Sequence, residues 1–75
     1  MTLLDLSLEL QDYCRLVVME KKDNKADYKK VYDGLNIDLK LDYFFYKVLS
    51  IKPQKDTVTV VAKKRSMFEA ILDYD

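Results

Sequence analysis

The sequence predicts a small α+β domain: a long N-terminal helix, a short second helix, a small antiparallel sheet with a hairpin, and a short C-terminal helix. Three observations predict it. Apolar residues recur at steps of three and four through residues 2–22. Residues 35–43 alternate apolar and polar without a break. A run of β-branched residues, Thr57-Val58-Thr59-Val60-Val61, follows a proline turn.

The first helix rests on Leu3, Leu6, Leu10, Tyr13, Cys14 and Val17, which share one helical face. Thr2 can cap it, with Asp5 in the position of the capping-box acid. A strand reading competes, because Leu4, Leu6, Leu8 and Leu10 alternate with Asp5, Ser7, Glu9 and Gln11. Leucine-rich content and length favour the helix. Its apolar surplus (Leu4, Leu8, Leu16, Val18 and Met19) then has to meet a sheet or a partner.

Lys21–Asn24 is a charged break. Tyr28, Val31, Tyr32 and Leu35 give Ala26–Asp33 a helical spacing, with Asn24 or Asp27 as cap and Gly34, the only glycine, as its terminator. Over 35–43, Leu35, Ile37, Leu39, Leu41 and Tyr43 face one way and Asn36, Asp38, Lys40 and Asp42 the other, as in a half-buried strand. Residues 44–51 continue with aromatic and β-branched content, so a bend or bulge is expected near Asp42–Phe44. A helix through Ile37, Leu41, Phe44, Phe45, Val48 and Ile51 is the rival reading. Lys52–Asp56 is turn chemistry, which predicts that Val48–Lys52 pairs with Thr57–Val61 as a hairpin. Ser66 with Glu69 forms a capping box that opens a helix from Met67 to Tyr74.

The chain has 75 residues, enough for one domain, 1–75. A core of this size rarely supplies more than ~3–5 kcal/mol. Cys14 is the only cysteine and histidine is absent, so neither an intrachain disulfide nor an ordinary zinc site can reinforce it. Burial against a partner subunit is the remaining device, and a homodimer is expected. No apolar run reaches the ~18–20 residues of a membrane span, and no signal peptide is evident. A single unpaired thiol suits a reducing compartment, so the expected location is cytoplasmic and the membrane is no partner.

Thirteen basic residues balance thirteen acidic ones. The charges nevertheless run in blocks, with lysines concentrated in 21–30 and 52–65. Such blocks can build a basic surface in a neutral molecule.

Catalysis is not expected. Without histidine there is no Ser-His or Cys-His pair and no familiar base near neutral pH. Cys14 reads as a buried structural thiol. Asp38 and Asp42, on one side of a strand, would stand about 13 Å apart, too far to share a proton. One glycine cannot build a phosphate-cradling loop. The Asp23, Asn24, Asp27 cluster lacks the glycine and the terminal glutamate of a calcium loop. No cofactor and no metal are implied.

Two binding classes remain. Six tyrosines and three phenylalanines favour a protein interface. A strand through Tyr43–Tyr46 would present apolar groups on both faces, with Tyr43, Phe44, Tyr46 and Val48 as the candidate protein-binding residues unless the terminal helices cover them. The expected function is a non-catalytic binding or regulatory protein, in style like the small inhibitors that viruses and mobile elements carry. The alternative is a winged-helix-like nucleic-acid binder using Lys29, Lys30, Lys63, Lys64 and Arg65. Against that alternative, Asp38 and Asp42 lie in its recognition segment, where phosphates would repel them.

Overall fold

A computed structural model describes residues 1–22 and 27–72 of the chain. Asn24 and Tyr74, assigned above to helix ends, lie outside the described residues. The fold is α+β: helix α1 (Leu3–Glu9), strands β1 (Arg15–Lys21) and β2 (Tyr28–Leu35), two 3-10 turns (Asn36–Asp38 and Leu41–Tyr43), strands β3 (Lys47–Pro53) and β4 (Thr57–Lys63), and helix α2 (Met67–Leu72). The strands form one sheet in the order β2-β1-β4-β3. It is mixed rather than antiparallel: β1 runs parallel to β4, while the two outer pairs are antiparallel.

The long first helix is corrected to seven residues. Its start is as expected. The Thr2 amide donates to Asp5 Oδ2 at 3.1 Å, and the Asp5 amide donates to Thr2 Oγ1 at 3.2 Å. Leu10 then turns extended and ends the helix. What takes over is the β-branched pair Val17 and Val18 in a central strand, where one face is buried and the other half-buried. Such a strand reads as a continuous apolar run that helical spacing can also fit.

The second helix is replaced by β2. Its helical spacing was produced by a bulge. Val18 pairs with Tyr32 but Met19 pairs with Lys30, so Val31 is an extra, unpaired residue. Gly34 terminates no helix; it sits opposite Leu16 in the sheet. A Cβ there would lie 2.9 Å from the Tyr32 hydroxyl. Glycine is needed for the close approach of that ring, whose hydroxyl donates to the Leu35 carbonyl.

The expected strand over 35–43 is also corrected. The backbone donors of this stretch go to the loop after α1 rather than to a neighbouring strand. The Asn36 amide reaches the Cys14 carbonyl and the Ile37 amide the Asp12 carbonyl, both at 2.8 Å. The buried Asn36 side chain completes the attachment. Its Nδ2 donates to the carbonyls of Ser7 (2.9 Å), Leu10 (3.3 Å) and Gln11 (3.3 Å), and its Oδ1 accepts from Ser7 Oγ at 2.7 Å. In this tight geometry Asn36 and Leu39, three apart, turn inward, and Ile37 and Leu41 turn out.

The C-terminal half follows expectation. Ile51 pairs with Val60 and Lys52 with Thr59, and the Gln54 amide closes the turn on the Thr57 carbonyl at 2.7 Å. The Ser66 and Glu69 capping box opens α2. The core lies between one sheet face and the helical layer: Leu16, Val18, Val58, Val60 and Ala62 meet Leu3, Leu6, Leu39 and Tyr46.

Candidate functional site

The sheet has two faces of different character. Pairing sets which residues share a face, because neighbours across a ladder point the same way. Leu16, Val18, Val58, Val60 and Ala62 lie on the covered face. The alternate residues, Val17, Met19, Thr57, Thr59 and Val61, form the centre of the other face and are only half-buried. Neither helix covers them. Helix α1 packs on the opposite side, and α2 lies at the β3–β4 end, with Ala70 and Ile71 beside Met1, Leu4 and Phe45 and Glu69 beside Lys47, Leu49 and Lys63.

The rim of this open face is cationic. Arg15 and Lys21 end β1, Lys30 lies on β2, Lys47 and Lys52 on β3, and Lys63 ends β4. Asp33 is the one acid among the described strand positions on this face. Arg15 holds it through a two-pronged contact, Nε to Oδ1 and Nη2 to Oδ2, both 2.8 Å, and Lys30 Nζ lies 3.3 Å from Oδ2. The hydrogen bond from Arg15, with the positive charge of both neighbours, holds the Asp33 carboxyl down at about 2. It is therefore charged at neutral pH, and it offsets part of the positive charge of Arg15 and Lys30.

Topology draws the two lysine-rich stretches of the sequence to one end of the sheet. Lys21 and Lys22 leave β1 where Lys63 and Lys64 leave β4, and these four with Glu20 line a shallow cleft of about 220 Å³. Lys29, opposite Glu20, sits at the same end but on the covered-face side. Of the basic candidates named from the sequence, Lys30 and Lys63 lie on the open face, while Lys29 and Lys64 flank its end. Arg65 does not join them. It is 7% exposed, and its Nε donates to the Phe45 carbonyl at 3.1 Å. Arg15 and Lys47 were missed as site residues, and Lys21 and Lys52, inside the basic blocks 21–30 and 52–65, were not singled out. The parity of Arg15-Leu16-Val17-Val18-Met19-Glu20-Lys21 would have found two of them, had that segment been read as a strand.

The aromatic candidates are brought together, but inward. Tyr43 belongs to the second 3-10 turn and Phe44 caps it. Tyr46 is buried, and Tyr43, Phe44 and Val48 pack partly buried against the core. Only Val48 belongs to a strand. The segment straps the N-terminus in place: the Leu4 and Leu3 amides donate to the Phe44 and Tyr46 carbonyls at 2.9 Å, and the Val48 amide to the Met1 carbonyl at 3.0 Å. The Tyr43 and Tyr46 rings meet edge to face with centroids 5.4 Å apart. The Tyr46 hydroxyl donates to Glu20 Oε1 at 3.3 Å. Burial, and after it the nearby Glu20 carboxylate, pushes this phenol up to about 12. These residues therefore build the fold rather than an exposed aromatic strand.

No protein-family model matches the chain, and no curated protein or solved structure matches it. Among the described residues no three acidic or cysteine side chains gather as a metal ion would require. Cys14 is a free, half-buried thiol. No described helix is long and apolar enough to cross a membrane.

Proposed function

We propose that this protein is a non-catalytic binding module that holds a nucleic-acid backbone on the open face of its sheet. One observation carries the reading: the side chains of Arg15, Lys21, Lys30, Lys47, Lys52 and Lys63 fall on the sheet face opposite the core, with Asp33 as the one acid among the described strand positions on that face. Lysines spaced along strands meet phosphates as point charges, which gives affinity without sequence preference. Helix-turn-helix docking has no part in it, since the segment from Tyr28 is a strand. The free thiol fits action in a reducing compartment such as the cytoplasm. A small regulator or inhibitor of the kind viruses and mobile elements carry would suit this size and lack of catalytic groups.

The test is a fluorescence-anisotropy titration against single- and double-stranded DNA and RNA of mixed sequence at several salt concentrations. Each neutralised phosphate should contribute about −0.7 (single strand) to −0.9 (duplex) to the slope of log affinity against log salt. Changing Lys30, Lys52 and Lys63 together to Gln should flatten that slope by about 2 and leave the fold intact. Absence of binding at low salt, or a slope indifferent to the triple change, would sink the reading.

A protein interface is the second reading, and α2 is what favours it. Met67, Phe68, Ile71 and Leu72 are all more than half exposed, and no residue of the helix is buried. Phe68→Asp weakening a protein contact while nucleic-acid affinity stays unchanged would favour this reading.

A further inference from the structure

The balanced total charge conceals a separation between the two layers. The open sheet face is basic. The helical layer on the covered side of the sheet carries exposed acids: Glu9 on α1, Asp12 in the loop after it and Asp38 in the turn tied to that loop, with Lys40 as the one lysine or arginine among residues 1–14 and 36–46, while Asp42 lies beside Lys64. Apolar groups stand among these acids. Leu8 and Leu41 are 76% and 68% exposed, and Ile37 is half exposed. The Asn36 contacts fix Ile37 and Asp38 against the end of α1, so this surface is held in shape. The sheet face repeats the same composition with the opposite sign: Val17, Met19 and Val61 at the centre, cations around them.

We infer that the acidic, leucine-bearing surface of the helical layer docks on the basic open sheet face of a second copy of this chain. The two surfaces match in charge and in apolar content. They are different surfaces of one molecule, so the contact is head-to-tail and propagates unless a ring closes. Electrostatic complementarity of this kind sets register and speeds encounter, and salt weakens it. The copy and a nucleic acid would compete for the same face, yet the docking stands without the nucleic-acid reading.

Sedimentation velocity in the absence of nucleic acid tests it, at about 100 µM protein. Association should be evident in 20 mM NaCl and weaken about tenfold or more in 500 mM, where the screening length falls from about 20 Å to about 4 Å. Two charge-reversed variants supply the decisive arm: Asp12→Lys with Asp38→Lys, and Lys30→Glu with Lys52→Glu. Each alone should be monomeric in 20 mM NaCl, and an equimolar mixture should regain a 1:1 complex. All four positions are exposed. If a reversed variant fails its circular-dichroism melt, the neutral pairs Asp12→Asn with Asp38→Asn and Lys30→Gln with Lys52→Gln replace it, each expected to weaken association. The inference is overturned by a wild-type monomer at low salt, by association that survives high salt or either variant, or by reversed variants that do not recombine. Nucleic-acid titration of the same proteins is read separately, so either idea can fail without the other.

Discussion

Consecutive residues of β1 meet opposite fates. Leu16 and Val18 are fully buried beneath α1, while Val17 and Met19, one position along, sit half-buried on a face that no helix covers. The same contrast runs through β4, where Val58, Val60 and Ala62 are buried and Thr57, Thr59 and Val61 are not. One face of the sheet supplies the core; the other is the face proposed to meet a partner. Parity along the strand, more than residue type, decides which role a valine takes.

The contrast breaks most visibly with Leu16→Ala. Removing a fully buried leucine costs about 2–5 kcal/mol. A core this small supplies about 3–5 kcal/mol in all. Most of this variant should be unfolded at 25 °C by circular dichroism. Met19→Ala, on the open face, should cost under about 1 kcal/mol and leave the spectrum unchanged. Comparable losses at the two positions would mean that the open face is covered after all.

Asn36 comes next. Leucine in its place leaves the Ser7, Leu10 and Gln11 carbonyls without their shared donor, and buried unmet acceptors cost about 1–3 kcal/mol each when fully cut off. We expect a total loss of about 2–4 kcal/mol in urea denaturation, smaller than three full penalties because the loop can turn carbonyls toward water. Asn36→Asp should be worse at pH 7 than at pH 4, since a carboxylate would face carbonyl oxygens. An Asn36→Leu variant as stable as the wild type would remove the rigid acidic surface from which the head-to-tail contact was argued.

These residues also show what a sequence reveals and what it hides. Both capping boxes and the hairpin across Lys52–Asp56 were legible because their determinants lie within a few positions. The segments misread were those decided at a distance. Residues 35–43 alternate perfectly, yet no strand is beside them; Asn36 ties them to Ser7, twenty-nine positions away, and a three-residue turn follows. Val31 mimicked a helical spacing because a bulge added one residue to β2. The lysines were visible as runs, but only the register of four strands could gather Lys21, Lys30, Lys52 and Lys63 on one face and turn Arg65 inside.

Alkaline titration, read as the difference between the wild type and a Tyr46 variant, probes the covered side. The Tyr46 phenol ionises at about 12 in the fold, above its ordinary value of 10.0. The unfolded chain therefore loses this proton first. Stability from this group is intact below pH 10 and falls as pH rises from about 10 toward 12. Urea midpoints measured across that window should decline more steeply for the wild type than for Tyr46→Phe. Identical declines would mean that Tyr46 does not lie against Glu20.

The smallest effect on stability should come from Asp33, and it sharpens the contrast most. This exposed carboxyl is held at about 2 by Arg15 and Lys30, below its ordinary value of 3.8. Its contribution is present above pH ~4 and is lost as pH falls through about 2. Asp33→Asn should leave the melting curve at pH 7 nearly unchanged and flatten its acid limb, because an exposed pair is screened by water and salt. Binding should respond more. The substitution removes the one acid among the described strand positions of the open face and releases Arg15 and Lys30 toward an incoming phosphate, so affinity for nucleic acid should rise about two- to fivefold at low salt, with a steeper salt slope. The companion change Glu9→Gln, exposed on α1 at the covered side of the sheet, adds the same unit of charge away from that face and should leave affinity alone. If both variants bind alike, total charge rather than the open face governs the contact, and the division of labour between the two faces fails.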